Sequence, residues 1–437
     1  MPNIHVRPDS RQERLPRHAA DCLPGMATLI PAGTAGAEGP EPSLPSSSSL
    51  TGDTSSWYYT KSASPAGQSV ADVAVDRRAW RQARRRFLWR LSKTERVLKC
   101  GRCRISADPV IRVQDDRAHY AGLVTCGSIW ECPVCEAKIR QARAVEVGEA
   151  AARWDQAGRG CYMITLTVPH SAGMSLDRMW SDMTKAMQKC RAGKAYQQLK
   201  NRLGIAATAT AKETTHGPSG WHPHLHTLVF TTEPCSAEGI AALTLHFSRY
   251  WTRAVVGAGY GLPSPVHGVR VDACRSADDA AQYLVKTQDG WNVGSELARG
   301  DLKSAQPEHR LPFEILADIE RYGLAEDVAL WREYEATMPG KRAIVWSRYY
   351  REVLGMTATE MTDEELAAAE VGGETIAVLS PDCWDGIWTA GLDTAVLEAA
   401  EAGGLDAINL LLHRHHIPLA TPHEPQCDSF SSRLGAR

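Results

Sequence analysis

Five residues constrain this chain more than any other stretch: His222-Pro223-His224-Leu225-His226, running into Thr227-Leu228-Val229-Phe230-Thr231. The β-branched and aromatic residues downstream mark a strand, and alternate residues of a strand share a face. His222, His224 and His226 then point to one side, Pro223 and Leu225 to the other. Pro223 has no N–H to give to a ladder, so it belongs at the start of the strand or at an unpaired edge position. Two imidazoles about 7 Å apart along a strand face can share a divalent ion if a carboxylate completes the set. The plainer reading is a surface or packed pair of histidines. Three at strict alternation, ahead of an apolar strand, favour ligation, with His222, His224 and His226 all candidates. Glu213, in the polar run Lys212-Glu213-Thr214-Thr215, is the candidate carboxylate. If Ala206 to Thr214 pairs with the histidine strand through a turn at His216 to Gly220, Glu213 reaches the ion; otherwise it is an exposed strand carboxylate.

A second run, Ser276 to Lys286, reads SADDAAQYLVK. Ser276 is a plausible N-cap, acidic residues fill the first turn, and alanines promote the helix. Asp279, Tyr283 and Lys286 then share one face at spacings of four and three. A tyrosine attacks as phenolate from an unperturbed pKa near 10, so it needs help to ionise. A nearby ammonium and a metal-polarised phosphate supply that help. Asp279 has two readings: a base for a second step, or the carboxylate of a capping box begun by Ser276.

Two Cys-x-x-Cys pairs, Cys100-Gly101-Arg102-Cys103 and Cys132-Pro133-Val134-Cys135, stand 28 residues apart. Each knuckle offers two thiolates, and together Cys100, Cys103, Cys132 and Cys135 close a tetrahedral zinc site, with Cys126 as a substitute ligand. The chain has twelve cysteines but no basic-then-apolar leader at its N-terminus, so these pairs point to metal in a reducing compartment rather than to disulfides. No apolar run approaches the roughly 18 residues of a membrane span. The expectation is a soluble cytoplasmic protein.

The net charge of −2 conceals an asymmetry. From Met356 onward there are 14 Asp/Glu against three Lys/Arg, leaving residues 1 to 355 with a surplus of +9. That surplus suits a polyanionic partner. Within it, Arg77 to Lys99 holds ten Lys/Arg interleaved with Trp80, Phe87 and Trp89. Arg84, Arg85 and Arg86 read as DNA-backbone contacts, the alternative being a solvated helix face. Four segments follow: a disordered Pro/Gly/Ser-rich arm over 1–75, a basic segment with the four-cysteine module over 76–145, an α+β domain over 146–355, and an acidic, partly helical region over 356–437. In the α+β domain, Cys161 to Val168 reads as a strand and Leu176 to Leu203 as helical, with Met179, Met183 and Met187 at fours. A helix is expected around Leu392 to Ala402.

Taken together these motifs resemble the rolling-circle replication initiators of small plasmids and integrative elements, members of the HUH endonuclease superfamily. Ile164-Thr165-Leu166-Thr167 is similar to the family's first motif strand, His224-Leu225-His226 to its His-hydrophobic-His metal motif, and Tyr283-Leu284-Val285-Lys286 to its tyrosine-x-x-lysine helix. One branch places a Glu four residues before the tyrosine; here the matching residue is Asp279, one methylene shorter. The resemblance runs from about Arg96 to Gly355 and takes in Thr125-Cys126-Gly127-Ser128 and Ala343 to Arg351.

The resemblance implies an HUH-type antiparallel sheet with flanking helices, preceded by the small zinc module. It implies a Mg2+ or Mn2+ ion at the histidines and structural Zn2+ at the cysteines. It also implies a partner in origin DNA, single-stranded or hairpin, and host helicase and polymerase. Tyr283 would then nick one strand through a 5′-phosphotyrosine link, freeing a 3′-hydroxyl primer. Tyr349-Tyr350 resembles the paired tyrosines of some related enzymes, but its apolar flanks Trp346, Val353 and Leu354 favour packing. The competing functions are a mobilisation relaxase or HUH transposase with the same chemistry, and a non-enzymatic zinc-dependent DNA-binding regulator.

Overall fold

The computed structural model describes residues 70–105, 108–274, 309–357, 359–370 and 372–422, with side chains from residue 77 onward. The expected arm lies outside these residues, except that the first helix, α1 (Val70–Leu91), already begins at Val70. The segment with Asp279, Tyr283 and Lys286 lies outside them entirely.

The centre is a five-stranded antiparallel sheet in the order β6-β3-β5-β4-β7. Its strands are β3 (Gly160–Thr167), β4 (Ile205–Gly217), β5 (Gly220–Thr231), β6 (Val269–Ala273) and β7 (Ile344–Trp346). β4 and β5 form the hairpin expected from the histidine strand, and their last pair, Gly217 and Gly220, encloses a two-residue turn. Pro223 falls inside β5 rather than at its start, opposite Thr214 of β4. The β3 ladder on the other side of β5 ends at His224, so Pro223 meets no partner there and withholds no ladder bond.

Strand alternation divides the buried residues between two layers. On one face Tyr162, Ile164, Leu166, Leu225 and Val229 join a large core with α4 (Leu176–Cys190), α5 (Gly193–Leu203), α6 (Ala237–Gly257), α7 (Pro312–Tyr322) and α8 (Ala325–Thr337). Trp180, Trp251 and Trp331 are fully buried in it. The single helical stretch expected over Leu176 to Leu203 is two helices, because Gly193, at the start of the second, takes a left-handed φ of 77°. On the other face Met163, Ala209, Leu228 and Phe230 pack under α3 (Pro133–Gln156) and α9 (Tyr350–Leu354). These two helices cover only part of that face. The strands run beyond them, and the histidines lie on the uncovered length.

A second sheet, β2-β1-β8, joins regions far apart in sequence. The hairpin β1 (Val110–Gln114) and β2 (Arg117–Ala121) belongs to the cysteine module, whereas β8 (Glu374–Val378) belongs to the acidic region. With α11 (Pro381–Thr389) and α12 (Asp393–Arg414) they enclose a separate core around Ile111, Trp384, Val396 and Ile408. The helix expected near Leu392 to Ala402 is the first half of α12, which bends at Gly403 and Gly404. Two short helices complete the described chain, α2 (Glu95–Lys99) and α10 (Asp363–Ala368).

Candidate metal centres and active site

The β4–β5 register sets Glu213 directly across from His224, and Ala211 across from His226. One carboxylate oxygen of Glu213, Oε2, lies 2.9 Å from His224 Nε2 and 3.0 Å from His226 Nε2. All three donor atoms fall within 4.8 Å of one another, in a partly shielded position on the sheet. Separations of about 3.0 Å are the edges of an octahedron with metal–ligand bonds of about 2.1 Å, the dimension of Mg2+ coordination. The Thr165 hydroxyl lies 3.1 Å from His226 Nδ1, across the β3–β5 ladder. When Nδ1 donates to that hydroxyl, Nε2 is left with its lone pair toward Glu213. His224 Nδ1 is buried with no hydrogen-bond partner. The donor set fits a hard divalent ion.

His222 does not join this group. Its Nδ1 turns to His170 Nδ1, 3.3 Å away, and its ring lies 6.2 Å from that of His309. Burial, with His224, His170 and His309 close by, lowers its pKa to about 3. Neither His170 nor Thr165 is marked by the histidine spacing; Thr165 could be found only through its place in the strand Ile164 to Thr167.

The cysteine cluster differs from expectation by one member. Cys100, Cys126, Cys132 and Cys135 bring their sulfurs within 4.8 Å of one another, and all four are buried; Cys103 is not in the group. Sulfur separations of 3.5, 3.6 and 3.7 Å approach the edge of about 3.8 Å in a tetrahedron with 2.3 Å zinc–thiolate bonds. Arg104, next to Cys103, pairs with Leu123, while Cys126 sits on the turn that leads into α3. That turn needs Gly127, whose φ is 63° and whose Cβ would strike the backbone of Glu364 at 2.9 Å. Gly101, at φ 62°, leaves room for the Arg85 guanidinium where a Cβ would stand. Hydrogen bonds from the neighbouring thiols hold Cys135 well below its usual range, whereas burial pushes Cys132 well above. Four buried thiolates repel one another unless a cation offsets their charge, so the set fits a thiophilic metal.

The basic helix is turned inward. Arg85 is 5% exposed and shares the fully buried Asp393 with Arg86. Arg84 pairs with Glu320 at 3.1 Å, and Arg78 forks onto both oxygens of Glu401 at 2.6 and 2.9 Å. The triplet expected to meet DNA phosphates therefore meets carboxylates, supplied largely by the acidic region.

Tyr350 is buried, stacked on Trp346 at 4.4 Å, and its hydroxyl donates to Glu146 Oε1 at 3.0 Å. Burial and the Glu146 carboxylate raise its pKa, which suits packing and not attack. Tyr349 is 65% exposed.

Fold and sites thus define an α+β protein with a Glu-His-His group on an antiparallel sheet and a separate four-thiol group, each able to hold a metal. The chain is 33% identical over 350 residues to Protein rep of Streptomyces lividans, an alignment covering 64% of this chain and 76% of that protein. It belongs to the family of that protein. It is also 34% identical over 137 residues to a neomycin resistance protein of Streptomyces cyanogenus, covering 25% of this chain and 30% of that one. No family model matches, and no solved structure gives a significant match.

Proposed function

We propose that this protein initiates rolling-circle replication of a plasmid or integrative element by nicking one strand at an origin, with Tyr283 as nucleophile. The observation that carries the reading is the convergence of Glu213, His224 and His226 on one partly shielded point of the sheet. Membership in the family of Protein rep supports the replication role, and the resemblance of Tyr283 to Lys286 to a tyrosine-x-x-lysine helix supports the choice of nucleophile.

Glu213, His224 and His226 would hold a divalent ion, which when bound would supply Lewis-acid polarisation of the scissile phosphate. Thr165 keeps His226 in the tautomer that ligation needs. The Tyr283 oxygen forms a bond to phosphorus, the bond from phosphorus to the 3′ oxygen breaks, and that oxygen leaves as a 3′-hydroxyl after protonation. Lys286 offsets the phenolate charge. In the closing step Asp279 accepts the proton of an incoming 3′-hydroxyl, and the phosphotyrosine bond breaks as the strand is rejoined. Cys100, Cys126, Cys132 and Cys135 would hold Zn2+, which would serve a structural role there.

Incubation with origin DNA and Mn2+, followed by mapping of the DNA-linked peptide, tests the reading. The adduct is expected on Tyr283, and Tyr283→Phe is expected to abolish it. His224→Ala should leave the protein unresponsive to metal, and Asp279→Asn should nick without resealing. Full cleavage by Tyr283→Phe overturns the nucleophile. Absence of any covalent adduct from the unmodified protein favours the non-enzymatic regulator.

A further inference from the structure

The sequence carries a surplus of positive charge before Met356, yet in the helix richest in it, α1, four of the seven arginines (Arg78, Arg84, Arg85 and Arg86) pair with Asp393, Glu401 and Glu320. The remaining surplus is concentrated elsewhere. The stretches 176–203 and 237–257, which make α4, α5 and α6, hold nine Lys/Arg against three Asp/Glu. These helices pack together on the sheet face opposite the metal centre. Lys185 and Lys189 are one turn apart on α4, Arg249 and Arg253 one turn apart on α6, and Lys194 opens α5. All five are exposed. Of the five, only Lys185 has a carboxylate within ion-pair distance among the described residues: Asp182, at 3.7 Å, which Arg178 shares.

Arg191, mostly buried, caps the C-terminus of α4 at the α4–α5 junction. One guanidinium nitrogen donates to Thr210 Oγ1 at 2.8 Å, its Nε is buried without a hydrogen-bond partner, and no carboxylate forms an ion pair with it among the described residues. A desolvated guanidinium without a counter-charge is costly, and an anion at the surface above it lowers that cost.

We propose that the solvent face of α4, α5 and α6 binds the sugar–phosphate backbone of DNA, as a surface separate from the Glu213 centre. The inference rests on the reading of the chain as a DNA replication initiator. Long cationic side chains in two stripes, with Leu245 the one large apolar side chain strongly exposed beside them on α6, fit phosphates rather than base edges, so binding there is independent of sequence.

The test is fluorescence anisotropy with labelled, non-origin oligonucleotides, one duplex and one single-stranded, across a series of KCl concentrations. The unmodified protein is compared with the triple variant Lys189→Gln, Lys194→Gln, Arg249→Gln. A control triple variant, Arg90→Gln, Lys93→Gln, Arg348→Gln, removes the same charge from exposed positions elsewhere. Each lost phosphate contact flattens the log–log salt dependence by about 0.9 on duplex or about 0.7 on a single strand. The first variant is therefore expected to lose about 2.7 or about 2.1 from the slope, and the strand type that responds identifies the DNA form bound. Unchanged slopes on both DNAs, or an equal loss in the control, overturn the proposal while leaving the initiator reading intact. If the unmodified protein binds neither DNA, the proposal falls, while the initiator reading is decided separately by the adduct experiment on origin DNA.

Discussion

Thr165 stands across the ladder from His226 and offers its hydroxyl to Nδ1, so it governs a ligand without being one. Loss of such a partner commonly costs 10- to 100-fold in metal affinity. Thr165→Val is expected to weaken Mn2+ binding, measured calorimetrically, by roughly that factor, and Thr165→Ser to restore it. Equal affinity in all three proteins would reduce the contact to packing. At this scale the sequence is informative where chemistry follows a period. The alternation of His222, His224 and His226 places them on one face, and a two-residue turn carries Glu213 to His224. It is uninformative where a ligand arrives from another segment. Cys126 belongs to no Cys-x-x-Cys pair, and its inclusion in place of Cys103 depends on the turn at Gly127. Local spacing likewise gives no sign that His222 turns away to His170.

Helix α1 shows what composition leaves out. Its arginines look like a DNA-binding stripe because the carboxylates that neutralise them lie more than 200 residues further along the chain. Asp393 is wholly buried between Arg85 and Arg86. Removing one partner of a buried pair leaves an uncompensated charge and costs about 3–5 kcal/mol. Asp393→Ala is expected to lower stability in urea by about that amount, whereas Glu320→Ala, which removes a more exposed pair with Arg84, should cost about 1 kcal/mol or less. Similar losses in the two variants would mean that Asp393 does not anchor the helix. Strands β3 and β5 and the first half of α12 were legible because apolar periodicity is local. The pairing of β8 with β1 was not, since neither strand carries a mark of its partner.

Across the whole molecule, the four-thiol centre lies where the two cores meet. Arg102, inside the first knuckle, accepts a hydrogen bond from Trp384 Nε1 on its carbonyl at 2.7 Å and lays its guanidinium over Trp388 at 4.2 Å. Arg85 bridges from the same knuckle to Asp393. A metal bound at these thiols would stiffen the seat of the second sheet, and its free energy of binding would become folding free energy. Treatment with a zinc chelator is expected to raise amide hydrogen exchange first in β1, β2, β8, α11 and α12, with β3, β4 and β5 still protected. Uniform loss of protection across both sheets would make the two cores a single cooperative unit. The strand order of that second sheet also bears on biosynthesis. β1 emerges from the ribosome about 260 residues before β8, its neighbour. At about 5–20 residues per second, one edge of β1 stays open for roughly 13 to 52 s. During that interval the nascent chain presents an unpaired strand, a template for aggregation that only later synthesis can close.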